Sequence, residues 1–291
     1  MIMQRVTADT TQQIKSPEKG LYETVRRLPA PRPNLINFPF EEHSSSLLAK
    51  RYELKYRVSE STAIAVQSFV RGYLDRDKYA AKYASGQYRI CSLYLDSQRF
   101  DLFHETIQDK CNRFKLRVRG YDDDPNSPIF FEIKRKLNSI IYKSRAKVGK
   151  DQLVPILNGY YVPGDLPEKD RKTLTQFMHY SQCLLARPMV LVRYMREAYE
   201  NTADSKVRIT FDRQLCYKPV NTPVFTTNGP GWKPLPIDFV VLEIKFTASF
   251  PTWIKDMVRL FNLNRQSMSK YCSSVRPMVP HGAEYYTIPR R

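Results

Sequence analysis

The sequence predicts an α+β protein built on a closed antiparallel β-barrel with helices packed outside. Three observations lead there. Many short segments alternate apolar and polar residues at period two, which is strand spacing. Strand-like and helix-like segments follow no strict βαβ order, which argues against a doubly wound parallel sheet. Most telling, four strands repeat one design, apolar on one face and mostly cationic on the other. Lys115, Arg117 and Arg119 oppose Leu116 and Val118, while Glu53, Lys55 and Arg57 alternate with Leu54, Tyr56 and Val58. Glu132, Lys134 and Lys136 share a face, and Glu243 and Lys245 oppose Leu242, Ile244 and Phe246. A barrel gathers such charged faces inside while helices cover the apolar outside. The resulting lumen must be wet and hold an anion, because even one unpaired buried ion costs several kcal/mol.

Taken in order, residues 1–48 read as a tail. Pro29, Pro31, Pro33 and Pro39 crowd together, Ser44–Ser46 follow, and apolar periodicity is missing. Leu35, Ile36, Phe38 and Phe40 form an apolar group suited to docking on the domain or a partner. The folded domain is expected over 49–275. Arg51–Val58 is the first strand; Ser59 is an N-cap for a helix to about Lys78, with Ile64, Phe69, Val70 and Tyr73 at helical spacing. Gln87–Asp96 is a strand, and a short helix follows from Ser97 through Ile107. Lys115–Gly120 and Ile129–Arg135 are strands joined by the turn residues Asp122–Asn126, so they form a hairpin. Ile140–Val148 carries Lys143, Arg145 and Lys147 at period two. A helical pattern covers 166–185, then strands cover 189–198, 206–213 and 239–246. Phe250–Leu263 is an amphipathic helix, Ser267–Tyr271 follows it, and 276–291 reads as a second tail.

Composition narrows the partners. A formal charge of +18 over 291 residues attracts polyanions or an anionic surface and is unlike an ordinary metabolic enzyme. Five scattered cysteines show no CxxC pair, and with four histidines there is no zinc pattern. Free thiols of a reducing cytoplasm are the simplest account. There is no apolar run of about 18 residues and no signal-peptide core.

Eight segments taken together resemble one family. They are RYELKYRV (51–58), YRICSLYLD (88–96), KLRVRGY (115–121), FEIKRK (131–136), VRYMREAY (192–199), VRITFDR (207–213), VLEIKF (241–246) and SMSKY (267–271). This set, over about 49–275, resembles the VTC domain, the polyphosphate polymerase domain of the vacuolar transporter chaperone family, with stand-alone bacterial relatives. That family belongs to the triphosphate tunnel metalloenzymes, together with the CYTH phosphatases. The resemblance implies an eight-stranded tunnel, ATP as donor, polyphosphate as product, and a divalent metal, manganese or alternatively magnesium. It implies work beside a membrane-protein partner, though nothing in this chain marks one. CYTH relatives open with an acidic ExExK motif; here Arg51 replaces the first Glu and Glu53 holds the second position. That loss of acidity favours the polymerase branch over the hydrolase branch.

Residue by residue, the resemblance assigns Lys55, Arg117, Arg119, Lys134, Arg196 and Lys270 to the reacting phosphates. Lys143 or Lys147, Tyr194, Arg208, Ser269 and Lys245 add substrate contacts. Arginine offers a planar fork to phosphate oxygens and lysine a point charge. Glu243 is the expected metal ligand and Glu132 a second candidate, although Glu132 could equally pair with Arg117; Glu53 is weaker. His104 and His179 fall in helical patterns and read as structural or surface residues. No nucleophile or base stands out, which suits phosphoryl transfer by positioning and charge neutralisation. On this reading Arg117→Ala or Glu243→Ala abolishes synthesis without unfolding the domain. Two rivals remain: a hydrolase of triphosphate or polyphosphate on the same fold, and a polyanion-binding module without turnover. Most strand aromatics, such as Tyr56, Phe131 and Phe246, fall on the apolar face, so no nucleic-acid partner is expected.

Overall fold

The alternating segments pair into one antiparallel sheet. A computed structural model describes residues 51–279, apart from 139, 160–163, 202–206, 248–249 and 267. The N-terminal tail, with its Leu35, Ile36, Phe38 and Phe40 group, lies outside the described residues. Eight long strands carry the sheet: β1 (Arg51–Val58), β3 (Tyr88–Asp96), β4 (Arg113–Gly120), β5 (Ile129–Leu137), β6 (Ile140–Val148), β7 (Arg187–Glu200), β8 (Val207–Pro219) and β10 (Val240–Thr247). Two-residue strands β2 (Asp75–Arg76) and β9 (Lys233–Pro234) pair at its margins with β7 and β8. The helices are α1 (Glu60–Val70), α2 (Asp101–Ile107), α3 (Leu153–Leu157), α4 (Glu168–Cys183), α5 (Thr252–Leu260) and α6 (Lys270–Val275). Among the described residues no helix is long and apolar enough to cross a membrane.

The strand order is β1-β10-β8-β7-β3-β4-β5-β6, so the sheet has two ends and the expected closed barrel is not what forms. It is a strongly curled open sheet: Lys134 of β5 still comes within 3.4 Å of Glu53 of β1, across the mouth of the curl. Each end strand has another partner. Gln266 donates its backbone N–H to the Lys55 carbonyl (2.9 Å), and Arg265 bridges Tyr56. On the far edge, Asp170 of α4 accepts from the Lys147 backbone N–H (3.3 Å). These contacts cover part of each edge, and β1 and β6 do not pair with each other.

Helices α1 and α5 cover the outer face, where Tyr56, Val66, Phe211, Leu242, Ile244, Ile254 and Met257 are buried together. Ser59 caps α1 by accepting from Thr62 N–H (3.1 Å), as its position predicts. The helix ends at Val70, well short of Lys78, because Asp75 and Arg76 turn into the ladder against Glu200 and Tyr199. Its buried stripe is Ala63, Val66, Gln67 and Val70, while Ile64 and Tyr73 are exposed, so the predicted face is rotated. α4 backs β5 and β6, setting Phe177 edge-on to Phe131 (5.0 Å) and Tyr180 against Phe114 (4.8 Å).

One helix breaks the rule of helices outside. α6 presses Tyr271 onto Tyr94 (5.0 Å), on the same face of β3 as Ser92. Its start is fixed by Ser269, which accepts from Cys272 N–H (3.2 Å). The concave face is therefore part apolar, under α6, and part charged. The chain stays packed through Val279, which is buried, beyond the expected end of the domain near 275.

Candidate functional site

The charged faces converge inside the curl through strand register. Arg117 lies opposite Glu132 across β4 and β5, and Glu132 opposite Arg145 across β5 and β6. Lys55 lies opposite Glu243, Glu53 opposite Lys245, and Lys245 opposite Arg208. Because the period is two, each pairing puts both side chains on one face.

The cations form three groups. The first surrounds Glu132, which is fully buried. Arg117 grips it through Nη2 (2.5 Å) and Nε (2.7 Å), Lys143 lies at 3.0 Å and Arg145 at 3.4 Å. Burial would raise this carboxyl, but Arg117, Arg119 and Lys143 hold it far below the usual carboxylate range. Arg117 also donates to the Tyr94 hydroxyl (3.2 Å), and Arg119 to Ser92 Oγ (3.3 Å).

The second group surrounds Glu53 and Glu243. Lys55 sits between them, 2.8 Å from Glu53 and 3.7 Å from Glu243. Lys245 binds Glu243 at 2.6 Å. Burial and the charge of Glu243 push Glu53 up, but Lys55, Lys134 and Lys245 outweigh them and hold it at about 2. Burial likewise opposes the charge on Glu243, and Lys245, Lys55, Arg196 and Lys270 keep it ionised well below its ordinary range.

The third group centres on Asp212 of β8, also fully buried. Arg196 forks onto it (2.6 and 2.8 Å) and Lys270 reaches it from the first residue of α6 (2.6 Å). Both cations lie over the Tyr194 ring, Lys270 at 4.8 Å and Arg196 at 5.3 Å. Ser269 takes part through Lys115, whose ammonium donates to its hydroxyl (3.1 Å).

Most residues expected at the site thus meet in one concavity; Arg208 and Lys147 share its face by register but join none of the three groups. Arg208 is tied to Asp77 (2.5 Å) and Glu200 (2.9 Å), so its charge is already matched. Lys147 has an exposed side chain at the β6 edge, whereas Lys143 reaches Glu132. Sequence reasoning missed Asp212, Arg145, Tyr94, Ser92 and Asp77. Asp212 and Arg145 share the alternation of their strands with expected cations, while Ser92 and Tyr94 join through register, opposite Arg119 and Arg117. Asp77 gave no signal, since it falls where α1 was expected to continue.

The two carboxylates expected to hold metal keep separate sets of cations. Among the described residues no group of three or more His, Cys, Asp or Glu is placed to hold an ion. Glu132 is enclosed by Arg117, Lys143 and Arg145, a poor donor for a cation. Glu243 and Glu53 flank the Lys55 ammonium, which holds both; hard divalent ions bind through one or two carboxylates completed by phosphate oxygens. That pair fits such an ion once a phosphate ligand draws Lys55 from between them.

Fold and site together define an α+β protein whose curled sheet presents a cationic, water-accessible concavity. The particular family follows from comparison: the chain matches the VTC domain model over residues 50–279 and belongs to the VTC domain family. No curated protein matches it. Among solved structures, a provisionally named adenylate cyclase from Bacillus halodurans is similar at 11% identity and a TM-score of 0.42, covering 75% of this chain and 92% of that one. Another provisionally named adenylate cyclase, from Vibrio parahaemolyticus, is similar at 13% identity and a TM-score of 0.36, covering 75% and 94%.

Proposed function

We propose that this protein is an ATP-dependent polyphosphate polymerase working in the concavity of the sheet. The observation that carries the reading is the convergence of Lys55, Lys115, Arg117, Arg119, Lys134, Lys143, Arg196, Lys245 and Lys270 on one concave face; membership of the VTC domain family supports it. Such a wall binds a chain of phosphates by many weak charge contacts and lets it slide, since each unit resembles the next.

The chemistry needs no protein nucleophile. A terminal oxyanion of polyphosphate attacks the γ-phosphorus of ATP, the bond from that phosphorus to the β–γ bridging oxygen breaks, and ADP leaves. The chain gains one unit, and charge is conserved. The acceptor oxyanion is already deprotonated, so no base is required. Arg117, Lys143 and Arg119 neutralise charge on one side of the reacting group, and Lys55, Lys134 and Lys245 on the other. Arg196 and Lys270, set by Asp212, orient the chain. Glu243 and Glu53 would hold a divalent cation, manganese or magnesium, which supplies further neutralisation of phosphate oxygens.

The carboxylates Glu53 and Glu243 also favour a second reading, in which water replaces the chain as acceptor and the protein hydrolyses triphosphate. Incubation with ATP and manganese, followed by a polyphosphate-stained gel and assays for ADP and orthophosphate, separates the two. A ladder with matching ADP is expected; orthophosphate without a ladder overturns the polymerase in favour of the hydrolase. Lys134→Ala is the variant of choice, because its nearest carboxylate is a loose 3.4 Å away, so loss of the ladder in a folded protein reports on the site.

A further inference from the structure

At one end of the concave face the charged wall gives way to aromatic rings. Tyr121 extends the alternation of Lys115, Arg117 and Arg119 and lies on their face. The rings of Tyr79 and Tyr121 are parallel within 6°, with centroids 6.3 Å apart. Tyr88 is near to both, with centroids 5.9 and 6.4 Å away, and is tilted by 48° to one and 52° to the other. Tyr79 is 46% exposed, yet its backbone is fixed: Asp77 accepts from the N–H of Tyr79 (3.1 Å) and of Ala80 (2.7 Å). Lys78 and Lys82 place ammonium groups 5.4 and 5.9 Å from the Tyr79 ring. Arg145 stacks on Phe130 (3.6 Å) and donates to the Tyr121 hydroxyl (3.1 Å). The same Arg145 touches Glu132, which binds Arg117 and Lys143. The ledge of rings and the phosphate-type cations are therefore one continuous surface.

We propose that Tyr79 and Tyr121 form a clamp for the nucleobase of a nucleoside triphosphate, whose phosphates run from Arg145 toward Lys143 and Arg117. A planar base between two rings needs centroids about 7 Å apart, twice the contact distance of stacked carbons. The pair stands slightly closer than that, so a base enters by displacing Tyr79, the more exposed of the two rings. Base–aromatic stacking is sequence-tolerant, so the clamp holds the donor without selecting strongly among purines. The inference rests on the nucleotide-donor reading above and extends it from the phosphates to the base.

The test is calorimetric titration of the full chain with ATP and, separately, with inorganic tripolyphosphate. Tyr79→Ala is expected to weaken ATP roughly tenfold and leave tripolyphosphate unchanged, while Tyr79→Phe retains ATP binding. Unchanged ATP affinity in Tyr79→Ala overturns the clamp, as does an equal loss for both ligands. A wild-type protein that binds tripolyphosphate but not ATP overturns the clamp and the ATP donor together. Ring-dependent ATP binding without a polyphosphate ladder upholds the clamp and removes only the polymerase.

Discussion

Lys134 and Lys143 carry the clearest residue-scale consequence. Burial in the wall strips water from each ammonium and outweighs the attraction of Glu53 and Glu132, so both are lowered from 10.5 to about 8. They are charged below that pH and neutral above it. Tripolyphosphate affinity, followed by titration across this range, is expected to fall as pH rises through about 8, and the Lys134→Arg, Lys143→Arg double variant should flatten the fall. Stability moves the other way. The unfolded chain holds these two protons more tightly than the folded one, so their contribution rises with pH between about 8 and 10.5. For Arg117, the sequence alone predicts a loss of activity in a fold left intact; its place on buried Glu132 predicts a loss of stability too. Its removal leaves buried Glu132 short of its main partner, so Arg117→Ala should cost about 3–5 kcal/mol in urea unfolding as well as activity. The cations of the site were legible because alternation alone places them on one face. Their carboxylate partners were less so: the sequence offered Arg117 as a partner for Glu132, the pair that forms, but a lone Asp212 does not say which neighbour it meets across the ladder.

At the scale of elements, Asp96 joins two helices to the sheet. It is fully buried and accepts from the N–H groups of Ser97 (2.7 Å), Leu102 (2.9 Å) and Phe103 (2.9 Å), capping α2. It also takes the hydroxyl of Tyr271, on the helix that begins with Lys270. Removing that acceptor strands several buried donors at once. Asp96→Ala should lower stability by about 2–4 kcal/mol, measured by chemical denaturation. Strands were more legible than helices. β1 and β6 match their expected bounds, while β4, β7 and β8 run longer because ladder pairing extends them past their clearest alternation. α1 was overextended, since Ile64 and Tyr73 keep helical spacing yet stay at the surface. The brief α3 had too few residues to show a period.

At the scale of the molecule, many like charges face one cavity and are only partly matched by Glu53, Glu132, Asp212 and Glu243. A bound polyanion completes that pairing. Tripolyphosphate at a hundred times its dissociation constant should add about 2.7 kcal/mol and raise the melting temperature by roughly 5–10 °C. Chloride at matched ionic strength should not. The α+β class and the inward convergence of charge followed from the sequence. Closure did not, because alternation assigns side chains to faces and does not say whether the two end strands pair.

The open sheet has a further consequence, for solubility. An unclosed edge invites pairing with another chain, and natural sheets defend such edges with inward charges or coverings. β6 exposes Ile140 and Ile141, a short sticky run, immediately followed by Lys143, Arg145 and Lys147. Those three charges sit where natural sheets place charges to guard an edge, and they face the concavity as well. Neutralising all of them would release a protein prone to self-association, and an activity lost that way would say nothing about phosphate.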